Sequence, residues 1–200
     1  WTQSAKITTQ NLNALSATGN LAIAVGDNGA IVTSKDAITW TAASSVPTSA
    51  HLYGIAYTNA GTWVAVGAGG TILTSGDGLT WTAQNSGSAA DLKAVGSITS
   101  FTNNVTSYQF IVVGANGTIL SSPDAITWTA QSANTKANFN ALSSANQFLA
   151  VGSGGTVVTS LDGITWKTQA SQTTANLTSL LRAENMYIAV DNSGGTIYSK

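Results

Sequence analysis

"TSGDGLTW", from Thr74 to Trp81, decides the fold because the chain keeps repeating it. "TSKDAITW" (33–40), "SSPDAITW" (121–128) and "TSLDGITW" (159–166) share its layout: a Ser, an Asp two residues on, and a Trp four residues after the Asp. The boxed serines stand at 34, 75, 122 and 160, with a fifth at 199, so the spacings are 41, 47, 38 and 39. A fixed period of this length is the mark of a repeat architecture.

Two further strings recur upstream. "AVGDNGAIVTS", "AVGAGGTILTS", "VVGANGTILSS", "AVGSGGTVVTS" and the looser "AVDNSGGTIYS" lead into the serines, and "NLNAL", "HLYGI", "DLKAV", "NFNAL" and "NLTSL" precede them. Each repeat reads as four short strands: the "NLNAL" type, the "LAIAVG" type, the "TILTS" type and a last one starting at the Trp. The Asn-Gly or Gly-Gly between the second and third suits the positive φ of tight hairpins. Four-stranded units of about 40 residues are propeller blades, whereas helical repeats would carry a 3.6-residue period.

The sequence therefore predicts an all-β, five-bladed propeller in one domain spanning residues 1–200. Complete blades run over about 12–50, 51–90, 91–137 and 138–175, and the fifth over 176–200 plus 1–11. The fifth stops at "TIYSK", before any fourth strand, but the chain begins "WTQSA", which matches "WTAAS", "WTAQN", "WTAQS" and "WKTQA". Trp1 and Thr2 are expected to complete blade five beside Ile197 and Tyr198, removing an unpaired edge. Closure within the chain is favoured by the tether; donation of the strand to a neighbouring molecule is the alternative.

The string resembles the Asp-box, S-x-D-x-G-x-T-W, of sialidase-like and photosystem-assembly-factor-like propellers (BNR-like repeats). Four copies in register cover essentially the whole chain. Only Asp77 and Asp162 are followed by Gly; Ala follows Asp36 and Asp124, so the turn is expected to differ in detail there. Blade number alone is similar to the tachylectin-2-like lectins. An Asp in a tight turn accepts bonds from N–H groups two or three residues on. Asp36, Asp77, Asp124 and Asp162 are accordingly structural, and Trp40, Trp81, Trp128 and Trp166 fill the space between blades. No metal or catalytic role is expected of them.

Charged residues make up only 8% of the 200, against about 25% in ordinary soluble domains. The seven basic residues are scattered singly, so no nucleic-acid footprint is expected. No apolar run approaches the ~18 residues of a membrane helix. Cys is absent, which removes disulfide and thiol chemistry. No signal peptide is read at the start. Sialidase chemistry needs several arginines and a tyrosine–glutamate pair; one arginine, Arg182, and one glutamate, Glu184, do not provide it. An arginine-rich partner patch of the assembly-factor type is missing for the same reason. The expectation is a protein that is not an enzyme and needs no cofactor.

The residues just before the first strands, Asn11, His51, Asp91, Asn138 and Asn176, are all polar, and the apolar residue after each stands 11 or 12 residues beyond the preceding repeat's Trp. Two readings follow: each caps a loop, or the five form a polar ligand-binding rim around one mouth of the channel. Blade three carries an insertion, "SITSFTNNVTSYQF" (97–110), read as a long loop with Phe101 and Tyr108 available to a partner. Trp63, outside the box register, is assigned to packing. The function expected is a scaffold or recognition module of an exported, cell-surface or phage protein, extracellular in location, with a protein or glycan partner. The alternatives are a lectin with repeated sites and a structural, self-assembling subunit of a larger extracellular assembly.

Overall fold

The computed structural model describes residues 4–58, 60–102 and 105–199. Alternating apolar runs broken by Gly-rich turns form five antiparallel sheets. Blade one holds β1 (Leu12–Thr18), β2 (Leu21–Gly26), β3 (Ile31–Ser34) and β4 (Thr41–Ala42). Blade two holds β5 (Leu52–Tyr57), β6 (Trp63–Gly67), β7 (Ile72–Ser75) and β8 (Thr82–Gln84). Blade three holds β9 (Leu92–Thr102), β10 (Val105–Gly114), β11 (Ile119–Ser122) and β12 (Thr129–Gln131). Blade four holds β13 (Phe139–Ser144), β14 (Phe148–Gly152), β15 (Val157–Ser160) and β16 (Lys167–Gln169). Among the described residues blade five has three strands, β17 (Leu177–Ala183), β18 (Met186–Asp191) and β19 (Thr196–Tyr198), in the order β17-β18-β19. Trp1 and Thr2, the expected fourth strand, lie outside the described residues.

The core is divided among the joints between blades, because side chains alternate across each strand. In β2 and β3, Ile23, Val25 and Ile31 point forward and pack with Leu52, Trp63, Ala65, Leu73 and Trp81 of blade two. The alternate residues of blade two, Val64, Val66 and Ile72, point the other way and pack with Leu92, Phe110, Val112 and Leu120 of blade three. Blade three meets blade four in the same manner through Ile111, Val113, Phe139 and Phe148. Leu149, Val151 and Val157 of blade four then pack with Leu177 and Ala189 of blade five. Trp63 is buried at the first joint against Tyr57, ring centroids 4.8 Å apart.

First strands line up side by side, β1 on β5, β5 on β9, β9 on β13 and β13 on β17; β17 and β1 form no comparable packing. The leading apolar residues record the difference. Leu52, Leu92, Phe139 and Leu177 are all 0% exposed, while Leu12 is 45% exposed. The described blades thus form an arc with four packed joints.

Turns between second and third strands are longer than the expected two-residue hairpin. Gly67 N–H donates to Thr71 O at 2.9 Å, and two residues in succession, Gly69 (φ 61) and Gly70 (φ 77), are left-handed. Asn28 and Gly29, and Asn116 and Gly117, repeat this. At Gly70 a Cβ would also run into the Ser88 carbonyl, because the connection to the next blade passes over this turn.

The blade-three insertion is a correction to the expected loop. It extends the hairpin, with Phe101 paired to Thr106, Ser100 to Ser107 and Thr99 to Tyr108. Its Thr, Ser, Val and Tyr residues favour extended backbone, and both faces of its tip meet solvent, so no apolar alternation marks it.

The turns after Asp36 and Asp124 share the backbone conformation of the Gly-containing ones but differ in one bond: the Gly78 and Gly163 N–H groups each donate to the box Ser Oγ at 2.8 Å. Ala37 (φ 59) and Ala125 (φ 61) adopt the left-handed conformation of Gly78 (φ 75) and Gly163 (φ 72). That conformation costs a residue with a Cβ roughly 1–2 kcal/mol. Ala37 is exposed, so little packing is lost on removing its methyl. Ala37→Gly is expected to stabilise the chain by about 1 kcal/mol, read as a raised Tm. The same change at buried Ala125 should gain less.

Candidate functional site

Three sets of positions carry the polar chemistry of the arc. The first is the boxed turn. Asp77 Oδ1 accepts from the Leu79 N–H at 2.8 Å, the Thr80 N–H at 2.9 Å and the Ser75 hydroxyl at 3.0 Å. Ser75 Oγ in turn accepts from the Gly78 N–H at 2.8 Å, and the Trp81 indole N–H donates to Gly78 O at 3.1 Å. Asp36, Asp124 and Asp162 repeat the pattern with Ile38 and Thr39, Ile126 and Thr127, and Ile164 and Thr165. Trp81, Trp128 and Trp166 each pack on the preceding blade, Trp81 buried and the other two half-buried. Backbone donation sets the charge. The Thr39 N–H first, then Ile38, lowers the Asp36 carboxyl from 3.8 to about 2, and Thr165 and Ile164 do the same for Asp162, to about 2. Asp77 and Asp124 are lowered for the same reason.

The second set is the rim. The Gly69 N–H donates to Asp91 Oδ1 at 3.1 Å, Asn116 to Asn138 Oδ1 at 2.9 Å, and Gly154 to Asn176 Oδ1 at 3.0 Å. Each rim side chain thus caps the left-handed residue in the turn of the preceding blade. His51 also reaches back to blade one, but its Nδ1 lies 3.0 Å from Asp27 Oδ1, because Asp27 replaces the Ala or Ser that opens the other complete turns. Asp27 also accepts from Asn13 Nδ2 and Asn11 Nδ2, both at 2.9 Å, and those amides hold its carboxyl below the usual range. Asn11 is the exception: with no blade behind it, it bonds within its own blade.

A second tie crosses the joints two residues further along. Asn13 Nδ2 donates to Leu52 O at 3.0 Å, and Asn140 Nδ2 to Leu177 O at 2.8 Å. Sequence reading missed these amides, although "NLN" and "NFN" carry them. Thr178, at the matching place in blade five, donates instead to Val190 O in its own blade at 3.3 Å. Among the described residues no group of three or more His, Cys, Asp or Glu could hold a metal ion.

The third set lies at the joint between blades four and five, beside the β19 edge. A cavity of about 690 Å³ lies there, lined among others by Leu149, Val157 and Gln169 of blade four and Leu180, Tyr187 and Ile197 of blade five. It occupies the place that Trp81, Trp128 and Trp166 fill at the joints before it. At the opposite end, Trp40 is half-buried and lines a second cavity of about 710 Å³ with Ser4–Thr8, Leu12 and Leu15.

No family model and no curated protein sequence matches the chain. Solved structures do. YCF48 bound to D1 peptide matches with a TM-score of 0.71 and 21% identity over 99% of this chain and 67% of that one. The WD40 β-propeller domain of Doa1 matches with a TM-score of 0.71 and 15% identity, over 98% of this chain and 67% of that one. The computationally designed Ika8 protein matches with a TM-score of 0.69 and 17% identity, over 94% and 57%. The chain has the β-propeller fold, and it spans about two thirds or less of the length of these structures.

Two outcomes are expected from the boxes. Trp81→Ala should destabilise by about 3–5 kcal/mol, and Trp40→Ala by clearly less when both are compared in dilute denaturant titrations. Carboxyls lowered in the folded state favour folding above about pH 4 and lose that contribution as the pH falls towards about 2. Tm should therefore be steady near neutrality and drop across that acid window, with a shallower drop in Asp162→Asn.

Proposed function

We propose that the chain is a non-catalytic recognition scaffold, an Asp-box type propeller whose blade five takes up an extended polypeptide strand. One observation carries the reading. Among the described residues β19 pairs with β18 alone, and beside it lies a cavity of mixed apolar and polar lining at the place a box Trp fills at the three earlier joints. An edge with unpaired N–H and C=O groups next to such a pocket suits strand addition, with backbone bonds giving affinity and the pocket giving specificity. The strand that fits is of the Trp-Thr type, and Trp1 and Thr2, set beside Ile197 and Tyr198, are the occupants the repeat provides. A solved neighbour carries a bound peptide, which supports a protein partner for the fold without fixing one for this chain.

The rim of Asn11, His51, Asp91, Asn138 and Asn176 is the secondary contact surface in this reading. Its side chains already hold neighbouring turns, so a ligand there meets a preorganised but occupied set of amides and carboxylates. The sparse charge and Ser/Thr/Asn-rich composition support an exported, cell-surface or phage setting.

Removing residues 1–5 should lower Tm, and a synthetic "WTQSAKITT" peptide should restore part of the loss where a scrambled peptide does not. Equal melting of the parent and the shortened chain, with no response to peptide, would overturn strand uptake by blade five.

A further inference from the structure

We infer that the partner at the open end is a second copy of this chain, joined head to tail, so that blade one of one molecule docks on blade five of the next. This rests on the strand-acceptor reading above and names the donor of the strand. The two ends of the arc are the two halves of one joint that the chain builds four times. On blade one, Leu15 is 64% exposed, while its equivalents Ile55, Val95, Leu142 and Leu180 pack against the preceding blade. On blade five, Val190 is 39% exposed, while its equivalents Val25, Val66, Val113 and Val151 are at most 1% exposed. Tyr198 lies on the same outward face, 64% exposed.

Polar ties tell the same story. At three of the joints a rim residue caps the turn of the blade behind, and at the first and last joints an amide donates to the first strand of the blade ahead. Asn11 and Thr178 hold those two stations at the open ends, and both have turned to partners in their own blades. Docking a second copy returns them to the stations their equivalents occupy: Asn11 to the turn at 191–195, and Thr178 to the carbonyl of Leu12.

Closure within one chain would reach the same contacts only by re-angling the four packed joints. Their leading residues are fully buried, and close-packed interiors resist such deformation. A second copy satisfies the ends and leaves the joints as they are. The near-complete match of this chain to about two thirds of longer propellers fits an arc of wider curvature. Because the two faces differ, the contact is heterologous and propagates, instead of closing as a two-fold dimer.

Sedimentation of the full chain across protein concentration tests this, with Leu15→Glu blocking the blade-one face and Val190→Glu the blade-five face. Should Val190→Glu fail to fold, Tyr198→Glu replaces it. The parent is expected to grow with concentration in multiples of 20.3 kDa. Each variant alone should stay at one chain, and an equimolar mixture should form a dimer capped at both ends. A parent that stays at one chain throughout, or variants that remain single on mixing, overturns the head-to-tail contact. If the parent is monomeric yet the peptide still rescues the shortened chain, strand uptake stands and only the second copy is lost. If assembly occurs and the peptide does nothing, the blade faces associate and strand uptake is lost.

Discussion

Everything in this chain depends on one packed contact: the leading apolar residue of a blade and its box Trp, seated on the forward face of the blade before. Leu52 and Trp81 against Ile23, Val25 and Ile31 is the clearest instance. A single blade has two faces and too few residues to bury either alone. Each blade therefore acquires its core only when a neighbour covers it, and stability becomes largely a sum over joints. Hence the core consists of four clusters, and hence the ends of the arc expose side chains that are buried everywhere else.

The low charge content has a structural counterpart. Most of the acids are placed where backbone N–H groups converge: four in box turns, Asp91 on the Gly69 N–H, and Asp191 on the Ser193 and Gly195 N–H groups. A carboxylate in that position satisfies donors that a tight turn cannot pair internally. The box also couples turn to joint. The same left-handed residue whose conformation lets the Asp accept its bonds offers the carbonyl that receives the Trp indole. Turn geometry and inter-blade packing are in this way one device, repeated.

Much of the fold was legible in the sequence because the repeat is exact where the physics is strict. Ser, Asp and Trp keep fixed offsets, since the turn and the seat of the Trp leave no freedom, and blade boundaries follow from them. The blade-three hairpin was not legible. Pairs such as Phe101 with Thr106 have no covered face, so no alternation separates strand from loop. The rim was half legible: polarity at Asn11, His51, Asp91, Asn138 and Asn176 could be seen, but not that the last four reach backwards across a joint. The angle between neighbouring blades was not legible, because joints built of the same residue types differ by small angles that no side chain announces.

Backbone hydrogen exchange, resolved blade by blade in dilute solution, tests the account most directly. Slow exchange is expected in β6, β7, β10, β11, β14 and β15, whose blades are covered on both sides, and much faster exchange in β19 and the outer strands of blade one. Uniform protection across all five blades of the dilute single chain would contradict an arc whose ends await a partner.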